Sequence, residues 1–213
     1  IEISEVLIKN THVHVISDDI YEHIIYGHDF YNILNLEPKL YERTFIVNGV
    51  SKVFSMTGWR IGYGAGNEEI IKAISKIQSQ STTNPCSISQ VAAKFALESE
   101  KKFLKDWLLE FKKRKDMLVN FFNSIEGLTP FIPTGAFYLY VSCEGYINRK
   151  TENGIKISND IDFAEYLLKE SKVAIVPGSA FGKSPFFRIS YATSLKDLEE
   201  ACRRIKISLS KVK

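Results

Sequence analysis

Cysteine is scarce in this chain of 213 residues: Cys86, Cys143 and Cys202 stand far apart and form no CxxC pair. That spacing excludes a disulfide framework and a zinc ribbon, and it points to reduced thiols in a cytoplasmic setting. Charge of one sign is lacking too. Lys and Arg number 28 against 25 Asp and Glu, a net +3, so no long-range field argues for nucleic acid or an acidic membrane surface. No apolar run approaches the roughly 18 residues of a membrane span. The opening Ile1-Glu-Ile-Ser-Glu-Val-Leu-Ile-Lys-Asn10 has neither the basic start nor the unbroken apolar stretch of a secretion signal. Internal repeats and low-complexity tracts are absent from the sequence as well. So is an initiator Met, and because the first residues read as the middle of a helix, the expectation is a numbering that starts partway along a longer polypeptide.

What is present is the composition of an ordinary soluble globular protein, 45% hydrophobic, 25% charged and 12% aromatic, which rules out wholesale disorder and collagen-like classes. At about 150 residues per domain the length allows one large domain or one and a half. After the opening half-helix, Thr11–Ile16 alternates as a strand does and runs into Ser17-Asp18-Asp19-Ile20-Tyr21. Arg43–Val47 is a second strand-like run, turned by Asn48-Gly49 into Val50-Ser51-Lys52, and Trp59–Ala65 is a third. Asn67 is placed to cap a helix to about Gln78, with Glu68 and Glu69 in the first turn, where the helix dipole favours negative charge.

From Ser87 to about Ile125 apolar residues recur at helical spacing until Gly127, predicting one very long helix or two in series and a lobe boundary near residue 105. Strands are then predicted at Ala136–Val141, Val173–Val176 and Phe186–Tyr191. Helices are predicted at Asp160–Ser171 and Leu195–Leu209, the last opened by Ser194 and Asp197 as a capping box. Strands alternating with helices argue an α/β class.

Two strand ends carry chemistry. In open α/β sheets ligands bind at the carboxyl ends of strands, and a Lys there can form a Schiff base with an aldehyde. Lys52 sits in such a turn, and a phosphate-bearing aldehyde cofactor would find a hydroxyl in Ser51 and a guanidinium in Arg60. A pyridine ring used as an electron sink needs a carboxylate at its protonated nitrogen and a donor for its phenolic oxygen, which Asp18 and Tyr21 can supply. Arg188, among Phe186, Phe187 and Ile189, needs a partner or solvent. Other signals have plainer readings. His12 and His14 lack a third ligand, so no metal site is expected. Gly62, Gly64 and Gly66 do not form a dinucleotide fingerprint, and Lys112-Lys-Arg-Lys115 reads as a solvated helix face.

The stretches Ser17-Asp-Asp-Ile-Tyr-Glu-His23, Asn48-Gly-Val-Ser-Lys52 with Met56-Thr-Gly-Trp-Arg-Ile-Gly-Tyr63, and Phe187-Arg-Ile-Ser-Tyr-Ala192 resemble the class I pyridoxal-phosphate-dependent aminotransferases, most closely the bacterial aspartate aminotransferase subgroup. The resemblance covers essentially the whole chain. It implies Lys52 as the Schiff-base lysine and proton shuttle, Asp18 as partner of the pyridinium nitrogen and Tyr21 as donor to the phenolic oxygen. Ser51 and Arg60 would hold the phosphate, and Arg188 would grip the substrate α-carboxylate. It further implies a ping-pong transfer between an amino acid, aspartate first, and a 2-oxo acid such as 2-oxoglutarate, in a homodimer. Other outcomes on the same scaffold are aromatic or prephenate specificity, or a lyase.

Members of this family are about twice as long, and the asparagine, glycine-loop and ring-stacking motifs of their N-terminal halves have no counterpart here. The fold implied is therefore the C-terminal part of a fold type I large domain (residues 1–105, mostly parallel sheet with helices), followed by a long linking helix and a small α+β domain (residues 106–213). Two readings follow: the parent polypeptide is an enzyme in which this chain works together with the missing half, or this piece alone is a non-catalytic folding or interaction module; in isolation the chain is expected to associate through its unpaired sheet edge.

Overall fold

The structure, a computed structural model, describes residues 2–213. It divides into two compact units, one ending at Leu104 and the other spanning Lys105–Lys213.

The first unit opens with helix α1 (Glu2–Lys9), which leads by a turn to strand β1 (Val15–Asp18). A short helix α2 (Ile33–Leu36) precedes strand β2 (Thr44–Gly49), and strand β3 (Gly62–Gly66) leads to helix α3 (Glu68–Ser79) and helix α4 (Ser87–Glu98). The sheet order is β1-β2-β3. β1 and β2 run parallel, Asp18 opposite Val47, whereas β3 returns antiparallel with Gly49 opposite Gly62. Within these three strands the sheet is mixed, because the β2–β3 link holds only turns and a 3-10 segment (Thr57–Trp59), without the crossover helix that a parallel return uses.

The predicted strand at Thr11–Ile16 lies later, since residues 10–13 are taken by a turn in which Val13 N–H donates to Asn10 O at 3.1 Å. Arg43 holds that turn from a distance in sequence. Its guanidinium donates to the carbonyls of Leu7, Asn10 and Val13 at 2.5, 3.0 and 2.8 Å, tying the end of α1 to the turn that follows it. The strand expected at Trp59–Ala65 begins only at Gly62, so all three glycines lie within β3. There they leave room for an aromatic ring: a Cβ on Gly64 would stand 2.3 Å from Cζ of Phe45. Asn67 caps α3 as expected, its side chain accepting from Glu69 N–H at 2.7 Å. Val50, Ile61 and Ala93 form a small buried cluster, against which Phe54 and Met56 pack, while Ile88, Val91 and Phe95 of α4 are exposed.

The helical pattern from Ser87 breaks at Ser99, whose backbone is extended and whose hydroxyl donates to Phe95 O at 2.6 Å. Helix α5 (Leu104–Asn123) follows, so the pattern is two helices in series. The second unit continues with strand β4 (Thr129–Phe131), strand β5 (Tyr138–Ser142), helix α6 (Asp160–Ser171), strand β6 (Val176–Pro177), strand β7 (Phe186–Ser190) and helix α7 (Leu195–Leu209). Its antiparallel sheet has the order β4-β5-β7-β6. β4 is an edge strand and contains Pro130, a residue that a sheet edge tolerates.

Alternation gives this second sheet two unlike faces. Leu139, Val141, Phe187 and Ile189 are buried, and the Phe187 ring lies 5.6 Å from Phe122 of α5 and 5.5 Å from Phe163 of α6. Truncating such a residue to Ala typically costs about 3–5 kcal/mol. Tyr138, Tyr140, Phe186 and Arg188 alternate with them on the other face. One reading is corrected here: Lys115 is only 8% exposed and pairs with Asp116 at 3.3 Å, so the basic run of α5 is not a uniformly solvated face.

Candidate active site

In the first unit, register decides which side chains meet. Because β1 and β2 are parallel with Asp18 opposite Val47, they finish at the same end of the sheet, and the ladder gains one more bond where Asp19 N–H donates to Val47 O at 2.9 Å. β3 starts at that end, since Gly62 is opposite Gly49. Asp18, which ends β1, Tyr21, which follows it, Ser51 and Lys52, which follow β2, and Arg60, which precedes β3, therefore share one sheet end. Lys52 Nζ lies 5.8 Å from the centroid of the Tyr21 ring.

Two adjacent carboxylates occupy the end of β1, and their environments separate them. Asp19 is buried and accepts from Ser17 Oγ at 2.7 Å and from Asn32 Nδ2. Asn32 also caps α2, its side-chain oxygen accepting from Leu34 N–H at 2.8 Å, so the pair anchors the segment that follows Tyr21. Asp18 is exposed, and its Oδ1 accepts Ile20 N–H at 3.2 Å. Sequence reasoning missed Ser17 and Asn32 as supports. A Ser two residues before an Asp was legible as a local bond, but the contact from Asn32, 13 positions on, was not.

The turn between β2 and β3 is conformationally costly. Ser55 and Arg60 both have left-handed backbones, φ 53° and 56°, a region sparsely used by residues other than glycine. Asn48 stabilises its start, accepting Gly49 N–H at 2.7 Å from a buried position. The Arg60 guanidinium is exposed and donates to Thr57 O at 2.9 Å, with Trp59 beside it 44% exposed. The set offers one exposed carboxylate, one phenol, one hydroxyl, one amine and one guanidinium. That is the donor set a phosphorylated pyridine aldehyde requires, so the residues fit such a cofactor.

Arg188 belongs to the second unit. Its guanidinium carbon lies 4.2 Å from the centroid of the Tyr138 ring and 4.3 Å from that of Phe181. Alternation thus turns it away from Phe187 and Ile189 and gives it aromatic partners, favourable contacts for a weakly hydrated cation. Among the described residues no group of three or more His, Cys, Asp and Glu could hold a metal ion, and no helix is long and apolar enough to cross a membrane.

The model of the family described as "Aminotransferase class I and II" matches residues 2–205. The chain is 52% identical over 205 residues to a probable aspartate/prephenate aminotransferase of Rickettsia bellii, covering 96% of this chain and 51% of the relative. It is 52% identical over 202 residues to an aspartate aminotransferase of Rhizobium meliloti, covering 94% and 49%. Among solved structures, the aspartate aminotransferase of Rhizobium meliloti superposes with a TM-score of 0.95 at 50% identity, over 98% of this chain and 52% of that one. The aromatic aminotransferase of Pyrococcus horikoshii gives 0.85 at 38% identity, over 98% and 54%. The chain spans about half the length of the curated relatives it matches.

Proposed function

Because the chain belongs to the class I and II aminotransferase family, we propose that the protein transfers the amino group of an amino acid, aspartate first, to a 2-oxo acid such as 2-oxoglutarate, with pyridoxal 5′-phosphate as cofactor. The observation that carries this proposal is the gathering of Asp18, Tyr21, Ser51, Lys52 and Arg60 at one sheet end. Pyridoxal phosphate, when bound, supplies an aldehyde that takes up amines and a ring that takes up the electrons of a bond broken at the substrate's Cα.

Each side chain has a matching task. Asp18 would hold a proton on the ring nitrogen, since a neighbouring carboxylate favours the charged form. The Tyr21 hydroxyl would donate to the phenolic oxygen. Ser51 and Arg60 would bind the phosphate, the planar guanidinium meeting two oxygens at once. Lys52 Nζ would bond the aldehyde and, as a free amine, take the proton from the substrate's Cα. Arg188 would take the substrate's α-carboxylate. One product leaves before the second substrate enters, so double-reciprocal plots of initial rate at several co-substrate levels would be parallel.

Prephenate and aromatic amino acids are the second substrate class, a reading supported by the names of two of the relatives. The exposed apolar face of α4 supports an assembled protein, which we read as a homodimer. The three free thiols suit a cytoplasmic setting.

The test is direct. The full-length protein is incubated with pyridoxal phosphate and reduced with borohydride, and the modified residue is located by mass spectrometry. Modification of Lys52 is expected; modification elsewhere, or none, overturns the reading. Oxo-acid formation from aspartate and from aromatic amino acids then ranks the substrates.

A further inference from the structure

The connection between β6 and β7 is tied down from two other elements. Gly178–Phe181 forms a 3-10 turn, and a Cβ on Gly178 would stand 2.3 Å from Lys183 O and 2.6 Å from both Phe186 Cβ and the Tyr140 hydroxyl. The Tyr140 hydroxyl is within donating distance of the carbonyls of Gly178, at 3.2 Å, and Lys183, at 3.1 Å. Asp160, the first residue of α6, is 1% exposed. Its Oδ2 accepts Ser179 N–H at 2.7 Å and its Oδ1 accepts from the Ser184 hydroxyl. A carboxylate so buried is costly unless its oxygens are bonded, and here both bonds go to the same loop.

What the loop presents is Phe181. Its ring is 50% exposed, so core packing does not account for its position, and it meets the Arg188 guanidinium at 4.3 Å. Tyr138 meets the same guanidinium at 4.2 Å. Tyr138 lies on β5 and Phe181 follows β6, and these strands flank β7 on opposite sides. The two rings therefore reach Arg188 from both sides. A guanidinium held between rings is approached in its own plane, the direction in which a carboxylate takes two N–H groups at once.

We propose that Asp160 and Phe181 are positioning residues for Arg188: Asp160 fixes the Gly178–Ser184 loop, the loop presents Phe181, and Phe181 with Tyr138 orients the guanidinium for a substrate carboxylate. The inference rests on the reading of Arg188 as the carboxylate-binding residue, and the experiment separates the two. On the full-length, cofactor-loaded protein, Phe181→Leu, Asp160→Ala, Asp160→Asn and Arg188→Lys are compared by kcat, by KM for the amino acid, by calorimetric Kd for succinate as a non-reacting carboxylate, and by melting temperature.

Phe181→Leu is expected to raise both KM and Kd about three- to tenfold, the size of a lost cation–π contact, with KM changing more than kcat and melting unchanged. Asp160→Ala is expected to weaken succinate at least as much. Asp160→Asn restores binding toward wild type, because the amide can accept from Ser179 and donate to Ser184 Oγ. Should Asp160→Ala fail to fold, Phe181→Leu, altered at an exposed ring, still decides. If Arg188→Lys loses affinity while Phe181→Leu binds succinate as wild type does, the positioning role is overturned and the function stands. If Arg188→Lys itself binds as wild type does, the carboxylate role of Arg188 falls, and the inference with it.

Discussion

Asp18 stands directly opposite Val47 in the parallel ladder, and the next residue, Asp19, continues the ladder by donating its N–H to the Val47 carbonyl at 2.9 Å. Neighbouring residues of a strand point to opposite faces, so one carboxylate is exposed while the other is buried on Ser17 and Asn32. Two chemically equal residues thus have unequal duties. Asp18→Asn is expected to lower the transfer rate by about 100-fold or more, the scale of a lost proton-holding group, with the urea midpoint unchanged. Asp19→Ala should cost about 1–3 kcal/mol of stability, read as a lowered urea midpoint, because it strands the Asn32 amide.

The Asp160 carboxyl supplies a pH dependence with a definite sign. Burial pushes its pKa up, but the hydrogen bonds from Ser184 and Ser179 outweigh burial and hold it below the usual carboxylate value. A carboxyl depressed on folding adds stability above its unfolded pKa, about 3.9 for Asp, and loses it as pH falls through the lower folded value. Urea midpoints of wild type and Asp160→Asn should therefore differ at pH 7 and converge as pH falls below about 4. A gap that stays constant to pH 2 would rule out this role for the carboxylate.

The three thiols should react unequally. Cys86 is exposed ahead of α4, where the backbone N–H groups of Ser89 and Ile88 lower its pKa. Burial pushes Cys143 and Cys202 each up to about 12. Since the thiolate is the reactive form, iodoacetamide under native conditions at pH 7.5 should modify Cys86 alone, with Cys143 and Cys202 labelled only after unfolding. Peptide mapping reads the result.

Gly64 is a steric test of the first sheet. A methyl there would meet the Phe45 ring at 2.3 Å, and overpacking of this kind costs about 1–3 kcal/mol. Gly64→Ala should lower the melting temperature, and adding Phe45→Leu should recover part of the loss. Additive losses would mean that the ring is not the obstacle.

Legibility followed the range of the interaction. Helices α3, α6 and α7 were readable to within a residue or so, because their signals, such as the Asn67 and Ser194 caps, act over two or three positions. The start of β1 was not, because it depends on Arg43 bonding to carbonyls 30 to 36 positions away. The candidate site shows the same division. Lys52, Ser51 and Arg60 stand in one short segment, and the motif that joins them to Asp18 and Tyr21 was legible. Asp160 reads in sequence as an ordinary first-turn acid of a helix, and only the fold carries its carboxylate to Ser179 and Ser184. Lys115 misled for the same reason: a run of like charges says nothing of which member the helix turns inward.

The left-handed turn at Arg60 has an optical consequence. It leaves Trp59 at the surface in the segment that joins Lys52 to β3, and the chain has just one other tryptophan, Trp107, beyond Leu104 in the second unit. Each unit therefore carries its own intrinsic fluorophore. With Trp107→Phe, tryptophan emission, excited selectively over that of the ten tyrosines, would come from the loop of the candidate site alone, giving a signal of events around Lys52 and Arg60 that needs neither turnover nor an added dye.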